Sequence, residues 1–316
     1  MANLELLLGL TRCSLSLRQK LALLKKLDNL QALTVLSIEE ITECTGKPPK
    51  RSDWMPKQLE CAVSRDLELL NRYSIGVLSY NSSLYPPLFR ELHDPPFSVF
   101  YRGSLPDPEK PLAGMVGTRS PSGDGALAAA RIGAEFASAG IGVVSGLARG
   151  IDAFAHRGNA ESGGSSVAVL ACGVERFYPR SNARLGGMLL ERGGCILSEY
   201  PPGEEPLKYR FPQRNRLISG LSRSLLVVEA PEKSGALITA DFALEQGRDV
   251  FVFSGSVSSR RGAGTANLLD QGAVSVHSAF EIIASWQRQP VARKYTSTEA
   301  TNLQLSLDLR DSADAS

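Results

Sequence analysis

The sequence predicts an α/β protein with an extended Rossmann-type, doubly wound and mostly parallel sheet, preceded by a small N-terminal helical domain. From residue 112 onward, short apolar runs such as LAGMV, IGVVSG and SVAVLAC alternate with helical stretches. Such runs are typical of parallel strands that are buried on both faces and joined by helices. Before residue 70, leucines instead recur three and four positions apart without strand alternation. The end of the chain is mostly polar.

The first segment, residues 1–70, is predicted to be the small helical domain. LELLLGL and LRQKLALLKKL have helical leucine spacing, and Ser37 followed by Ile-Glu-Glu-Ile is typical of a capped helix start. A second domain, residues 71–287, opens with the predicted strands IGVLSY and FSVFYRG. About seven parallel strands follow from residue 112 onward. Their connecting helices are predicted at residues 123–139, 150–162, 181–192, 235–247, 262–270 and 278–287.

The last segment, residues 288–316, is polar and is predicted to be disordered. Within it, QLSLDL at residues 304–309 places three leucines at alternate positions. This hexapeptide resembles the short peptide by which bacterial proteins bind the replicative sliding clamp. Extended peptides of that kind bind through backbone pairing and alternate side chains. A random or locally packing tail is the alternative. The matching positions are Gln304, Leu305, Leu307 and Leu309.

Composition narrows the range of possible functions. The net charge is +2, from 35 basic and 33 acidic side chains, so a site for anions has to come from local clustering of cations. The five cysteines are widely spaced without a CxxC motif, which argues against a disulfide framework and a zinc site. There is no signal-peptide charge pattern and no apolar stretch near the ~20 residues that span a bilayer. We therefore expect a cytoplasmic protein without membrane contact, metal or cofactor.

Two glycine- or serine-containing loops of the second domain are candidate phosphate sites. In doubly wound folds, ligands bind where loops and helix N-termini meet at the carboxyl ends of the strands. GMVGTRSPSGDG provides Gly117 for a tight turn, Arg119 as a forked cation suited to phosphate, and Ser120 as a hydroxyl. EAPEKSGALITA has Ser234 at a helix start, where it suits one phosphate. Ordinary strand–helix turns are the alternative for both.

A further loop, in SGLARGIDAFAH, places Arg149 between Gly146 and Gly150. Asp152 follows in the first turn of the next helix, where a carboxylate suits the helix dipole. His156 is a candidate general base, but a structural role is the simpler interpretation because the sequence offers no partnered nucleophile. A nucleophile elbow, an HExxH motif and paired carboxylates in a glycine-rich setting are all missing from the sequence. No catalytic residue is therefore predicted.

The stretch KYRFPQRNRLISGLS is a compact basic cluster just ahead of an apolar run. The sequence predicts a short helix there, beginning after Pro212. An aromatic side chain among arginines suits single-stranded nucleic acid, whose bases stack on rings while its phosphates pair with cations. A solvated basic loop is the alternative. The candidate binding residues are Lys208, Phe211, Arg214, Asn215 and Arg216.

Eight blocks, in order over roughly residues 75–285, resemble the DNA processing protein A family, also called DprA or Smf. They are YPPLFRELHDPP…YRG, VGTRSPSGDG, SGLARGIDAFAH, GVERFYP, LSEYPPG, FPQRNRLISGLS, VVEAPEKSGALITADFALEQGRDVF and GAGTANLLDQGA. The resemblance implies a non-enzymatic Rossmann domain that binds single-stranded DNA, forms a homodimer and loads a RecA-type recombinase in natural transformation. The N-terminal segment matches the family's small helical domain, of the SAM or HhH kind, in general character only. The DNA pocket that the resemblance implies contains Arg119, Gly146, Arg149, Lys208, Phe211, Arg214, Asn215 and Arg216.

Two departures from the family pattern leave the biological process open. Many members end in a winged-helix-like domain, and no segment after Trp286 is long or apolar enough to form one. Phe253-Ser254-Gly255-Ser256 stands where the family usually has a proline before the glycine. Transformation, repair and defence are all compatible with this pattern. A DprA-like regulator or antitoxin of a defence locus, acting on a toxin or another protein partner, is therefore an alternative.

An enzyme is the other alternative. Nucleotide phosphoribohydrolases of the cytokinin-activating kind share this general fold and carry a PGGxGT block with a nearby catalytic glutamate. The corresponding stretch here, APEKSGALITA, lacks the paired glycines and the GT. A non-enzymatic binder of single-stranded DNA, acting in DNA processing or recombination, is therefore the principal prediction.

Overall fold

In the computed structural model, which describes residues 3–48, 56–257, 259 and 261–288, nine strands form one sheet. β3 to β9 are mutually parallel, whereas β1 and β2 are antiparallel at one edge. The predicted fold class is confirmed. The strands are β1 (Gly76–Ser79), β2 (Ser98–Gly103), β3 (Leu112–Val116), β4 (Gly142–Ser145), β5 (Val167–Leu170), β6 (Cys195–Ser198), β7 (Ser224–Val227), β8 (Asp249–Phe253) and β9 (Val274–Val276).

Helices precede the sheet and connect its strands. The predicted helix start at Ser37 is confirmed, because Ser37 and Glu40 form a capping box. The helices are α1 (Leu4–Arg12), α2 (Leu17–Lys26), α3 (Leu30–Thr34), α4 (Ile38–Thr45), α5 (Pro56–Tyr73), α6 (Pro87–Arg90), α7 (Gly123–Ser138), α8 (Ile151–Glu161), α9 (Ala183–Glu191), α10 (Arg210–Leu221), α11 (Gly235–Glu245), α12 (Ser254–Val257), α13 (Ala263–Asp270) and α14 (Ala279–Arg288).

The core lies on both faces of the sheet, because alternate residues of a strand point to opposite sides. On one face, Phe100 and Ile196 pack with the leucines of the N-terminal helices in a single apolar cluster. On the other face, Val144 and Leu225 pack with Leu217 of α10. Each fully buried leucine contributes about 2 kcal/mol of burial free energy. The predicted helical segment therefore shares its core with the sheet.

The chain divides into a unit from Met1 to Phe280 and a second unit from Glu281 onward. The helical segment continues to Tyr73 at the end of α5, slightly beyond the predicted boundary at residue 70. The predicted clamp-binding peptide, Gln304 to Leu309, lies outside the described residues, as does nearly all of the predicted tail. The domain boundaries and the peptide stay predictions.

The strand order β1-β2-β6-β5-β4-β3-β7-β8-β9 places the topological switch point between β3 and β7. From β3, the strands β4, β5 and β6 extend the sheet toward one edge, whereas β7, β8 and β9 extend it toward the other. A crevice opens at the carboxyl ends of the strands at such a point. The loops after β7, β3, β4 and β5 lie side by side, in that order, along this edge.

Candidate nucleic-acid interface

A pocket of about 460 Å³ lies at the carboxyl ends of β3 and β7, and we call it the switch-point pocket. Its walls are the loop after β3, one face of α10 and the start of α11. It brings together residues from three of the predicted phosphate-binding segments. Those residues are Gly117, Arg119, Phe211, Arg214, Asn215 and Ser234, and they are joined by Lys233.

A second pocket of about 310 Å³ shares Arg119, Phe211 and Arg214 with the first, and we call it the tyrosine pocket. The rings of Phe211 and Tyr178 are 5.5 Å apart, and the Arg119 guanidinium lies 5.8 Å from the centre of the Phe211 ring. Tyr178 is 43% exposed. Such a group of rings and a cation suits stacking on a base and pairing with a phosphate. The pocket also contains the predicted residues Ser120, Gly146 and Arg149.

Backbone hydrogen bonds connect the loops that carry Arg119 and Arg149. The Thr118 N–H donates to the Glu229 carbonyl at the end of β7 (2.7 Å), and the Ile151 N–H donates to the Thr118 carbonyl (3.1 Å). Gly150 has a φ of +76°, and a β-carbon there would lie 2.3 Å from the Thr118 oxygen. Only glycine permits this approach of the two loops. Arg119 and Arg149 therefore project from two loops, after β3 and after β4, that are hydrogen-bonded to each other.

Arg214 lies beneath the two pockets rather than extending into solvent. Its side chain is buried, and Nη1 donates to the carbonyl oxygens of Gly146 (2.9 Å) and Val169. It faces Asp152, whose carboxylate accepts hydrogen bonds from the Gly146 N–H (3.1 Å) and the Ala148 N–H (3.3 Å). Burial lowers the pKa of Arg214 and raises the pKa of Asp152, while the opposite charges counteract both shifts. Arg214 thus joins the ends of β4 and β5.

Gly146 leaves room for this arginine. A β-carbon at that position would lie 2.6 Å from Nη2 of Arg214. Gly146 therefore packs against Arg214 within the protein, and its predicted contact with DNA stays a prediction. Asn215, next to Arg214, lines the switch-point pocket and donates from Nδ2 to the Gly235 carbonyl (3.3 Å). This bond connects α10 to the start of α11.

Two predicted residues do not reach either pocket. Arg216 donates from Nη2 to both carboxylate oxygens of Glu199 (2.7 and 2.6 Å) and lies 3.7 Å from Asp94. Lys208 is exposed, precedes α10 and is part of neither pocket lining. The helix also starts earlier than predicted, at Arg210, so that Pro212 lies in its first turn. Because residues three and four apart share a helix face, Phe211, Arg214 and Asn215 face the pockets and Arg216 does not.

One acidic residue, Glu204, neutralises the arginine at the start of α10. Arg210 donates from Nη2 to Glu204 (2.6 Å), which also accepts from Arg12 of α1 (3.1 Å). Arg12 in turn binds the buried Asp66 of α5 (2.6 Å). Burial acts to raise the pKa of Glu204, but the two arginines outweigh it and hold that pKa below its usual value. Through these contacts α1 and α5 help to fix the position of Arg210, the residue that precedes Phe211.

The N-terminus of α7 is occupied by a carboxylate of the protein itself. Glu229, which is fully buried, accepts from the Ser122 N–H (2.7 Å) and the Ser122 hydroxyl (3.2 Å) through Oε2. Its other oxygen accepts from the Ser259 hydroxyl (3.0 Å). In doubly wound folds this helix end is where a nucleotide phosphate often binds. The Glu229 carboxylate therefore takes the position of an anion at this helix end.

His156 is fully buried in α8 and lines neither of the two pockets. Burial lowers its pKa to about 3, with a smaller contribution from the charge of Arg214. An imidazole in this position is neutral and cannot contact a substrate. The structural interpretation of His156 is the one that this placement favours.

Acid is expected to destabilise the protein through His156. The folded pKa of about 3 lies below the usual 6.5, so the unfolded chain binds the proton first. Stability is therefore fully present above about pH 6.5 and falls as the pH is lowered toward 3. Urea denaturation of the wild type and of His156→Gln between about pH 7 and pH 4 measures this loss, which the variant should lack. The exposed His93→Gln should behave like the wild type; a wild-type stability that stays flat over this range would contradict the expectation.

Three residues of the site, Lys233, Tyr178 and Glu229, were not singled out from the sequence. Tyr178 stands in the GVERFYP block, but only the fold brings its ring to Phe211. Glu229 ends an apolar run, and nothing local marks it as the partner of Ser122. Within the described ranges there is no His, Cys, Asp and Glu cluster suited to a metal ion. The same residues include no helix that combines the length and hydropathy required to cross a bilayer.

The sequence and the fold both match known proteins. A model of the family described as DNA recombination-mediator protein A matches residues 76–287. Protein Smf of Escherichia coli is 42% identical over 226 residues, which are 72% of this chain and 60% of that protein. DNA processing protein DprA of Streptococcus pneumoniae is 35% identical over 203 residues, or 64% of this chain and 71% of that protein. The chain thus spans about three fifths of the length of the Escherichia coli relative.

Two solved structures are similar over most of their length. The crystal structure of DNA processing protein A from Streptococcus pneumoniae has a TM-score of 0.70 and 34% identity, covering 87% of this chain and 95% of that one. The protein from Helicobacter pylori has a TM-score of 0.61 and 27% identity, covering 68% and 97%. That second structure is described as giving insight into a single-stranded DNA binding mode of DNA processing protein A.

Proposed function

The chain belongs to the DNA recombination-mediator protein A family, and from this premise we propose that it binds single-stranded DNA at the switch-point and tyrosine pockets. The observation that carries the proposal is the contact of Phe211 with Tyr178 and Arg119 at the shared rim of the two pockets. Bases stack on such rings, and phosphates pair with the neighbouring cations. The binding role serves DNA processing and recombination, without catalysis by the chain itself.

Arg119 and Arg149 contact the phosphates in this proposal, and Arg214 positions the loops around them. Both of the first two side chains are exposed, and neither has an acidic partner within 4.0 Å among the described residues. Gly117, Ser120 and Ser234 supply backbone and hydroxyl groups to the walls. A homodimer and a RecA-type recombinase as partner remain part of the proposal, as the resemblance to the family implies.

A salt titration with single-stranded and duplex DNA of equal length tests the proposal. We expect tighter binding of the single strand, with log affinity falling linearly with log salt by about 0.7 for each phosphate contact. Fluorescence anisotropy with labelled oligonucleotides gives the affinity for each form of DNA and its dependence on salt concentration. Equal affinity for the two forms would overturn the stacking mechanism, because a duplex does not expose the faces of its bases.

Replacing Phe211 by alanine is expected to weaken single-strand binding about tenfold, since stacking on an aromatic ring is worth about 1–3 kcal/mol per base. The salt slope should stay as in the wild type because no ionic contact is lost. Phe211→Trp serves as the control and should retain binding. Unchanged affinity of Phe211→Ala would show that this ring does not contact the DNA.

The occupied end of α7 supports a polymer rather than a free nucleotide as ligand. Glu229 fills the place where a mononucleotide phosphate would bind in a nucleotide-processing enzyme of this fold. Incubation of the protein with nucleoside monophosphates should therefore release no free base. Detection of free base by chromatography would restore the enzyme alternative.

A further inference from the structure

Exposed cations follow one another along the carboxyl edge of the sheet, in the order of the strands. Lys233 follows β7, Arg119 follows β3, and Arg149 follows β4. After β5 the row continues with Arg180 and Arg184, which have no place in the two pockets. Neighbouring strands lie about 4.8 Å apart, so the loops present positive charge at intervals of the same order as the phosphate repeat of a single strand.

Among the described residues, none of these five cations has an acidic partner within 4.0 Å. Ion pairs within the part of the chain that the structure describes involve Arg12, Arg131, Arg176, Arg210, Arg216 and Arg248. In the loop after β6, Glu204 and Glu205 bind Arg210 and Arg176. The row of unpaired cations therefore ends where the acidic residues begin.

The segment that carries Arg180 and Arg184 is attached directly to the tyrosine pocket. Tyr178 and Pro179 line that pocket, and Arg180 is the next residue. Ser181 accepts from Nε of Arg149 (3.3 Å), and Asn182 donates from Nδ2 to the carbonyl oxygens of Leu147 and Ala148 (3.0 Å each). Arg184 follows within the first turn of α9. The surface is thus continuous with the pocket and fixed to the loop after β4.

We infer that single-stranded DNA leaving the tyrosine pocket continues over Arg180 and Arg184, which form a second phosphate-binding surface. We call it the α9 surface. The inference rests on the proposed function and extends it. It adds nucleotides to the bound length, and it gives the strand a path along the sheet edge from the loop after β7 to the loop after β5. Charge, continuity with an aromatic pocket and the lack of acidic partners all suit a polyanion that is already held at Phe211.

Binding of oligonucleotides of increasing length to an Arg180→Ala/Arg184→Ala variant tests the inference. For a long oligothymidylate we expect a five- to tenfold loss of affinity and a salt slope reduced by about 1.4, which is ~0.7 for each lost phosphate contact. A short oligothymidylate that fills only the two pockets should bind as it does to the wild type. Circular dichroism confirms that the variant is folded. Arg192→Ala is the matched control, because this exposed arginine directly follows α9 at its other end.

The possible outcomes separate this inference from the proposed function. Full affinity of the double variant for the long strand, together with weakened binding by Arg119→Ala, overturns the α9 surface and leaves the pocket assignment intact. An equal loss for short and long strands also overturns it, because both arginines would then act within the pocket. Failure of the wild type to bind any single strand overturns the proposed function itself. Binding of an acidic peptide that requires Arg180 and Arg184, together with full affinity of the double variant for the long strand, would assign the surface to a protein partner instead.

Discussion

Replacing Arg119 by alanine is expected to weaken binding of single-stranded DNA about tenfold or more and to lower the salt slope by about 0.7. Arg119 is exposed at the rim shared by the two pockets, 5.8 Å from the Phe211 ring. It has no acidic partner among the described side chains, so its full charge is available to a phosphate. Hydrogen bonds to charged groups contribute about 1.5–3 kcal/mol, which corresponds to this loss.

Anisotropy titrations at several salt concentrations measure both the affinity and the slope. Arg192→Ala removes an exposed arginine beyond the far end of α9 and should bind as the wild type does. Arg119→Lys keeps the charge but loses the planar fork, so an intermediate affinity is expected. Wild-type affinity and slope for Arg119→Ala at near-physiological salt would show that the phosphates bind elsewhere.

The elements of the sheet could be predicted from the sequence because parallel strands buried on both faces leave continuous apolar runs. LAGMV became β3 at Leu112–Val116 without change, and SVAVLAC contains β5 at Val167–Leu170. The order of the strands could not be predicted in this way. It depends on which side of β3 each crossover returns to, and β7 pairs with β3 rather than with β6. The switch point, and with it the place of the pocket, follows from that choice.

The members of the basic cluster at residues 208–216 take different places in the fold. Because α10 begins at Arg210, its helical periodicity places Phe211 and Asn215 on the side that lines a pocket. It places Arg216 on another side, where it binds Glu199. The burial of Arg214 depends on the carbonyls of Gly146 and Val169, which are 68 and 45 positions away in the sequence. Contacts over such distances leave no local pattern. The contribution of Tyr178 was missed for the same reason.

The net charge of the protein does not show how its acidic and basic side chains are distributed over the fold. An overall charge of +2 reflects near equality of acidic and basic side chains, but the two kinds are distributed unevenly. Acidic residues are concentrated at the loop after β6, where Glu199, Glu204 and Glu205 neutralise arginines. Unpaired cations remain on the neighbouring loops. Local neutralisation therefore separates a structural arginine from one that we propose to bind phosphate better than sequence position does.

Arg214→Met is expected to lower the free energy of unfolding by about 3–5 kcal/mol, the usual cost of leaving a buried charge without the opposite charge that offsets it. Its guanidinium is buried between β4 and β5, bonded to the Gly146 and Val169 carbonyls, and faces the buried Asp152. Methionine fills a similar volume without donors, so the Gly146 and Val169 carbonyl groups lose their donor and the Asp152 carboxylate loses the nearby positive charge. Urea denaturation of the wild type and the variant at neutral pH measures the difference.

The pH dependence of this loss distinguishes a structural arginine from one that binds phosphate. Burial already raises the pKa of Asp152, and loss of the attraction to Arg214 raises it further. A carboxyl whose folded pKa lies above its unfolded value of about 3.9 costs stability as the pH rises through that interval. The deficit of Arg214→Met relative to the wild type should therefore shrink as the pH is lowered, and adding Asp152→Asn should recover part of it at neutral pH. A variant as stable as the wild type, with weakened DNA binding, would instead return Arg214 to the phosphate-binding role that its sequence context suggests.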